Sequence, residues 1–358
     1  MNDIARGPES LRKDLFRETA NRMKVSEAII EKDFWVCWTL GALFSSLPWK
    51  DKLIFKGGTS LSKVFHLINR FSEDIDLVLD WRTLGYSSED PWLERSNTKQ
   101  QGFVDATTEK TIKFLGEDFV PAFSRDIEER LGVKLSFTME KDVVLISYPK
   151  AFDHPAILPQ IKLEIGPLAS WTPHGDFAIT PYSAEQFPSA FDSPTVPLKA
   201  VTVERTFWEK ATILHQEAHR SEGKPQPLRY SRHYYDLFRI SQSKFKATAL
   251  GNLQLLKAVV EFKEKFYRTP WAHLKTASPP TLKLVPPSWM RAKLEADYQG
   301  MKDMLFDEVI PTFASQVGVI LVPSTNSKVA SCRLFRAMLT TFSTALAMRL
   351  VDSWSRWV

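Results

Sequence analysis

Asp74 and Asp76 stand two residues apart in Ser72-Glu73-Asp74-Ile75-Asp76-Leu77-Val78-Leu79. Ile75, Leu77 and Leu79 alternate as the inward side of a strand, so both carboxylates project from its other face. Carboxylates held side by side repel each other, and a divalent cation relieves that repulsion. Upstream, the apolar run Leu53-Ile54-Phe55-Lys56 reads as a strand that meets Gly57-Gly58-Thr59-Ser60. The segment that follows has helical spacing, with Leu61, Val64, Phe65 and Ile68 on one side. A tight glycine turn before a helix lets backbone approach a phosphate, and the hydroxyls of Thr59 and Ser60 are expected to point at it. A Gly-Gly turn alone is ordinarily a turn and an Asp-x-Asp alone a solvated strand edge. Their succession points to phosphate and metal chemistry.

A third acid follows on a later strand-like run, where Ile161, Leu163 and Ile165 alternate with Lys162 and Glu164. Glu164 therefore lies on a polar face, either as an exposed strand glutamate or as the group that draws a proton from a hydroxyl at a two-metal site. Further on, Thr202 can cap a helix whose buried side is Phe207, Ala211 and Leu214, with Lys210 one step round. Such a lysine snorkels or reaches into a cleft. Arg232 and Asp236 stand four apart, the spacing of an intrahelical ion pair. From Arg220 to Lys246 there are seven basic residues against two acidic, and Tyr230, Tyr234 and Tyr235 lie among them. That balance suits RNA, through Arg220, Lys224, Arg229, Arg232 and Arg239, and it equally suits a solvated helix.

The elements that must position these groups are legible in outline. Residues 11–47 read as helices, with Ser26 as N-cap of an amphipathic one that carries Glu31-Lys32-Asp33-Phe34-Trp35-Val36. Its plain reading is a packing helix. Residues 81–99 form a polar surface excursion, helical spacing resumes over 103–131, and strands are expected at 134–139, 143–148 and 160–165. The stretch 171–199, with Pro173, Pro181, Pro188, Pro194 and Pro197, reads as a connection. Helices dominate after it, with a proline-rich break over 270–287. The division expected is 1–170, a core with N-terminal helices; 171–199, the connection; 200–322, a helical domain; and 323–358, a tail without an assigned role.

A chain of 358 residues with 44% hydrophobic content can bury the cores of two domains. Its net charge of +5 permits a nucleic-acid partner without arguing for one. Cys37 and Cys332 give neither a disulfide framework nor a zinc spacing, so a reducing compartment is expected. Residues 1–13 lack the apolar run of a secretory signal, and arginines interrupt the amphipathic tail too often for a membrane span. A cytoplasmic protein without a membrane partner is expected.

Strand, Gly-Gly-Thr-Ser, helix and Asp-x-Asp strand together resemble the DNA polymerase beta-like nucleotidyltransferases. The narrower form, Lys56-Gly57-Gly58-Thr59-Ser60-Leu61-Ser62-Lys63 followed by Arg70-Phe71-Ser72-Glu73-Asp74-Ile75-Asp76-Leu77, resembles the AbiEii/AbiGii-type toxin nucleotidyltransferase family. Glu31 to Val36, Lys162-Leu163-Glu164-Ile165-Gly166, Glu204 to Lys210 and Ser231 to Leu237 extend the resemblance in order, over about Val25 to Phe306. It implies an α+β fold: a nucleotidyltransferase core with a mixed sheet flanked by helices, and a mainly helical C-terminal domain closing a cleft over it. It implies Mg2+ on Asp74, Asp76 and Glu164, and an NTP held by Lys56, Gly57, Gly58, Thr59, Ser60, Lys63 and Lys210. Asp236 would orient that lysine or the nucleotide. It further implies tRNA as acceptor and a separate antitoxin. Modification of a protein or small molecule, or a degenerate RNA-binding module, are the alternatives. The intact Asp pair and glycines speak against the last.

Overall fold

The alternating runs become strands of one mixed sheet in the computed structural model, which describes residues 1–155, 157–169 and 172–320. Seven strands, β1 (Leu53–Lys56), β2 (Ile75–Leu79), β3 (Phe137–Glu140), β4 (Val143–Ser147), β5 (Gln160–Gly166), β6 (His174–Ile179) and β7 (Val196–Val201), lie in the order β3-β4-β5-β2-β1-β7-β6. β2 pairs antiparallel with β1 and parallel with β5. The period of two then sorts side chains by face. Leu53, Phe55, Ile75, Leu77, Leu79, Ile161, Leu163 and Ile165 enter the main core. On the opposite face Ile54, Val78 and Val201 form a small apolar cluster, and Lys56, Asp76, Lys162 and Glu164 are half-buried beside it.

Helices cover the core face. They are α1 (Asn2–Arg6), α2 (Glu9–Met23), α3 (Glu27–Ser45), α4 (Gly57–Lys63), α5 (Asn97–Phe114), α6 (Val120–Leu131) and α7 (Tyr182–Gln186). Ser26 caps α3, its side chain accepting from the Ala28 N–H. This helix is buried almost all round, with Ile30, Phe34, Trp35, Leu40 and Leu43 in the core, as expected of a helix sandwiched between layers. α4 is shorter than its apolar spacing suggests. It ends at Lys63, and His66 in the left-handed region (φ 50°) turns the chain away, so Val64, Phe65 and Ile68 continue the packing outside a helix.

The proline-rich stretch 171–199 is more than a connection, since it supplies α7 and the antiparallel pair β6–β7. Its prolines sit where a missing N–H costs least. Pro181 precedes α7, Pro188 opens a 3-10 turn, and Pro197 falls before the part of β7 that pairs with β1 at Ala200.

The chain divides into two compact units, the first comprising Met1–Thr206 with Met304–Glu308 and the second Phe207–Asp303 with the residues from Val309. The division falls inside α8 (Val203–Glu217). Residues 304–308 return to the first unit because Phe71 N–H donates to Met304 O and Phe306 N–H to Asn69 O, both at 2.7 Å. The second unit is helical: the rest of α8, then α9 (Arg232–Ser241), α10 (Phe245–Gly251), α11 (Leu253–Phe266), α12 (Ser288–Gln299) and α13 (Phe313–Ile320). Its centre holds Trp208, Tyr234, Tyr235 and Tyr298, all fully buried, with Trp208 Nε1 donating to Ala249 O at 3.0 Å. The tail assigned to 323–358 lies outside the described residues.

Candidate active site

Gly57 has φ +84°, a conformation that suits only glycine, and a Cβ on it would stand 2.8 Å from Asp76 Cγ, overlapping the carboxylate. The glycine turn and the second aspartate are thus in contact. Gly58 is equally constrained, because a Cβ there would meet Ser72 Oγ at 2.8 Å and the Arg70 guanidinium. Register does the rest. Lys56 on β1, Asp76 on β2 and Glu164 on β5 stand directly opposite one another across three strands, on the face away from the main core. Asp74 precedes β2 by one residue and stays half-buried at its mouth.

Lys162, which alternates onto the same face as Glu164, adds a charged group to this row. Its Nζ contacts Glu164 Oε1. Burial works against its charge, but the bond to Glu164 and the nearby carboxylates of Asp74 and Asp76 outweigh that and hold its pKa above the usual lysine value. The signal was present in the sequence, since residues two apart on a strand share a face.

Three expected phosphate contacts are placed differently. Thr59 and Ser60 are fully buried. Thr59 Oγ1 donates to Asp74 O at 2.6 Å and Ser60 Oγ to Gly57 O at 2.9 Å, so both hydroxyls tie the turn together rather than face outward. Lys63 is buried, with Nζ 2.8 Å from Asp33 Oδ1 and 3.6 Å from the centre of the Tyr182 ring. Burial opposes its charge and Asp33 more than restores it, leaving the pKa raised. Hydroxyl side chains near a helix start commonly bond to nearby backbone, as Ser60 does here.

In the second unit Lys210 Nζ lies 2.7 Å from Asp236 Oδ2, and both side chains are buried. α8 and α9 thus present the two residues as one ion pair. Of the basic residues, Arg220 pairs with Glu217 at 2.6 Å and stacks over Trp271. Lys224 and Arg229 are exposed, and Arg232 and Arg239 half-buried. Tyr234 and Tyr235 are core residues, Tyr234 packing on Phe313 at 5.2 Å, so neither is a stacking surface for bases. Tyr230 stays half-buried.

Magnesium takes hard oxygen ligands and is commonly held by one or two carboxylates completed by substrate phosphates. The side-by-side carboxylates next to a glycine turn that only Cβ-free backbone can form fit that mode. Among the described residues no group of three His, Cys, Asp or Glu side chains converges as a ready-made cage. Asp74 and Asp76 would hold the ion, with Glu164 able to join if Lys162 releases it.

No curated protein matches this sequence significantly. Among solved structures, the chain is similar to MenT4, a nucleotidyltransferase toxin from Mycobacterium tuberculosis H37Rv, with 15% identity over 93% of this chain and 99% of that one, TM-score 0.45. It is also similar to JHP933 from Helicobacter pylori, with 12% identity over 92% and 99%, TM-score 0.39. Residues 38–325 match the family described as the nucleotidyl transferase AbiEii toxin of type IV toxin–antitoxin systems, and on that match this chain belongs to the AbiEii nucleotidyltransferase toxin family.

Proposed function

We propose that this nucleotidyltransferase moves a nucleoside monophosphate from an NTP onto the 3′ hydroxyl of tRNA in a magnesium-dependent reaction. It would act in the cytoplasm as the toxin of a toxin–antitoxin or phage-defence pair, restrained by a separate antitoxin. The observation that supports the chemistry is the contact of Asp76 with Gly57 and its register with Glu164, which joins a phosphate turn to a row of carboxylates.

In this reading the backbone at Gly57 and Gly58 receives the triphosphate, and Lys56 and Arg70 supply positive charge beside it. Asp74 and Asp76 hold the metal. When bound, magnesium neutralises phosphate charge and favours the ionised form of the acceptor hydroxyl. The acceptor oxygen bonds to the α-phosphorus as the bond from that phosphorus to the bridging oxygen breaks, and pyrophosphate leaves. Glu164 completes the metal set or takes the hydroxyl proton. Lys210, held by Asp236, acts on the donor phosphates as a point charge. Lys224, Arg229, Arg232 and Arg239 contact the RNA backbone, so binding should weaken steeply with salt.

Purified protein, magnesium and labelled NTPs incubated with total RNA should put label onto tRNA-sized species, and periodate oxidation of the RNA 3′ ends should prevent it. Label confined to protein bands, or consumption of small acceptors alone, would overturn tRNA as acceptor and leave nucleotidyl transfer standing.

A further inference from the structure

Glu31, Lys32 and Asp33 are fully or almost fully buried on α3, although each is a residue type that is rarely buried unless paired. Successive helix positions point about 100° apart, so the three side chains reach three different segments. Glu31 accepts from Ala151 N–H at 2.8 Å and Phe152 N–H at 3.1 Å, after β4. Asp33 accepts from Tyr182 N–H at 2.7 Å and pairs with Lys63 at the end of α4. Lys32 stands between them. Its ammonium donates to two carbonyl acceptors, Leu158 O at 2.7 Å and Gln160 O, and forms an ion pair with a third, Glu73 Oε2, at 3.2 Å.

Those acceptors sit at the mouths of the two strands that bear the acids. Glu73 is the neighbour of Asp74, at the entrance of β2, and Leu158 and Gln160 form the entrance of β5, four residues ahead of Glu164 at its nearer end. We infer that Lys32 is a positioning residue, which by clamping Glu73 to the entrance of β5 sets Asp74 relative to Glu164 for the metal. Thr59 holds Asp74 from the other side through its carbonyl. A buried ion pair that served packing alone would be replaced by apolar side chains at little cost or with a gain. A clamp between two strand mouths needs a donor that can serve several acceptors at once, and lysine supplies it. The inference rests on the metal-site reading above.

Mn2+ binding, followed by electron paramagnetic resonance of the free ion with a mixture of the four α,β-non-hydrolysable NTP analogues present, separates the two. Wild type should bind Mn2+ and Asp76→Asn should not; failure there would remove the metal site itself. Glu73→Gln keeps an acceptor of the same shape but leaves the Lys32 charge without its counter-ion, whereas Lys32→Met with Glu73→Gln removes both charges together and leaves no lone buried ion. Both should keep the wild-type circular dichroism spectrum. Mn2+ affinity should fall on the order of tenfold in the double variant, the scale on which groups that orient metal ligands act, and by less in Glu73→Gln. A purely structural pair would lower the melting temperature and leave the affinity of the folded protein unchanged. Unchanged affinity in folded Glu73→Gln, or in both variants, overturns the inference; Glu73→Gln decides if the double variant does not fold.

Discussion

The carboxylate of Asp76 rests against the α-carbon of Gly57, where a Cβ would stand 2.8 Å from Cγ. Gly57→Ala therefore asks for two things at once, a side chain at φ +84° and a displaced Asp76. The backbone strain should cost about 1–3 kcal/mol. Transfer should fall on the order of 100-fold, the effect of a misplacement near 1 Å at a reacting centre. Urea unfolding and single-turnover transfer read the two separately. Wild-type transfer in a destabilised Gly57→Ala protein would detach the glycine turn from the reaction.

Lys210 and Asp236 should behave as one group. Either Lys210→Met or Asp236→Asn leaves a buried charge without its partner, which costs about 3–5 kcal/mol. The double variant should be more stable than either single one. Its transfer rate should nonetheless be as low as theirs, because losses at residues that act as a unit do not add. Losses that multiply would mean that the two act apart, and normal transfer in the double variant would make the pair purely structural.

The second unit should weaken in mild acid through His215. Burial, with His219 and Lys283 nearby, pushes its pKa down to about 4, and its Nδ1 accepts from Lys283 N–H at 2.9 Å. The folded chain thus binds this proton less readily than the unfolded one, whose histidine has the ordinary value near 6.5. His215 stability is complete above about pH 6.5 and is lost as pH falls toward 4, by about 2–3 kcal/mol. Urea unfolding between pH 7 and pH 4 should show a shallower loss in His215→Gln than in wild type. Equal slopes would remove His215 as the cause.

The strands that bear the acids were legible because alternation of apolar residues is a local signal. Ile75, Leu77 and Leu79 fix the face of Asp76 in the sequence itself, as Ile161, Leu163 and Ile165 fix that of Glu164. Partnership across distant segments has no such signal. Lys63 follows the glycine turn closely enough to suit a phosphate, yet Asp33, thirty residues earlier in chain numbering, claims it. Thr59 turns inward to Asp74 O, an acceptor that reaches it only once α4 and the entrance of β2 are folded together, whereas Ser60 bonds locally to Gly57 O within α4. The strands β6 and β7 were hidden because prolines beside a strand or near its start, as Pro197 is in β7, look in sequence like prolines that prevent one. By spacing Asp236 offered Arg232 as a partner, whereas the family resemblance joined it to Lys210, and tertiary packing makes that second pair.

The central claim is that the face bearing Asp74 and Asp76 binds a nucleotide through a divalent ion, and ligand-induced thermal stabilisation tests it without reference to any acceptor. A ligand that binds only the folded chain adds about 2.7 kcal/mol at one hundred times its dissociation constant. Wild-type melting temperature should therefore rise by several degrees with Mg2+ and NTP together, and not with either alone. Asp74→Ala and Asp76→Ala should fold, since both side chains are off the main core, and should show little or no rise. A wild-type-sized rise in both variants would contradict the account.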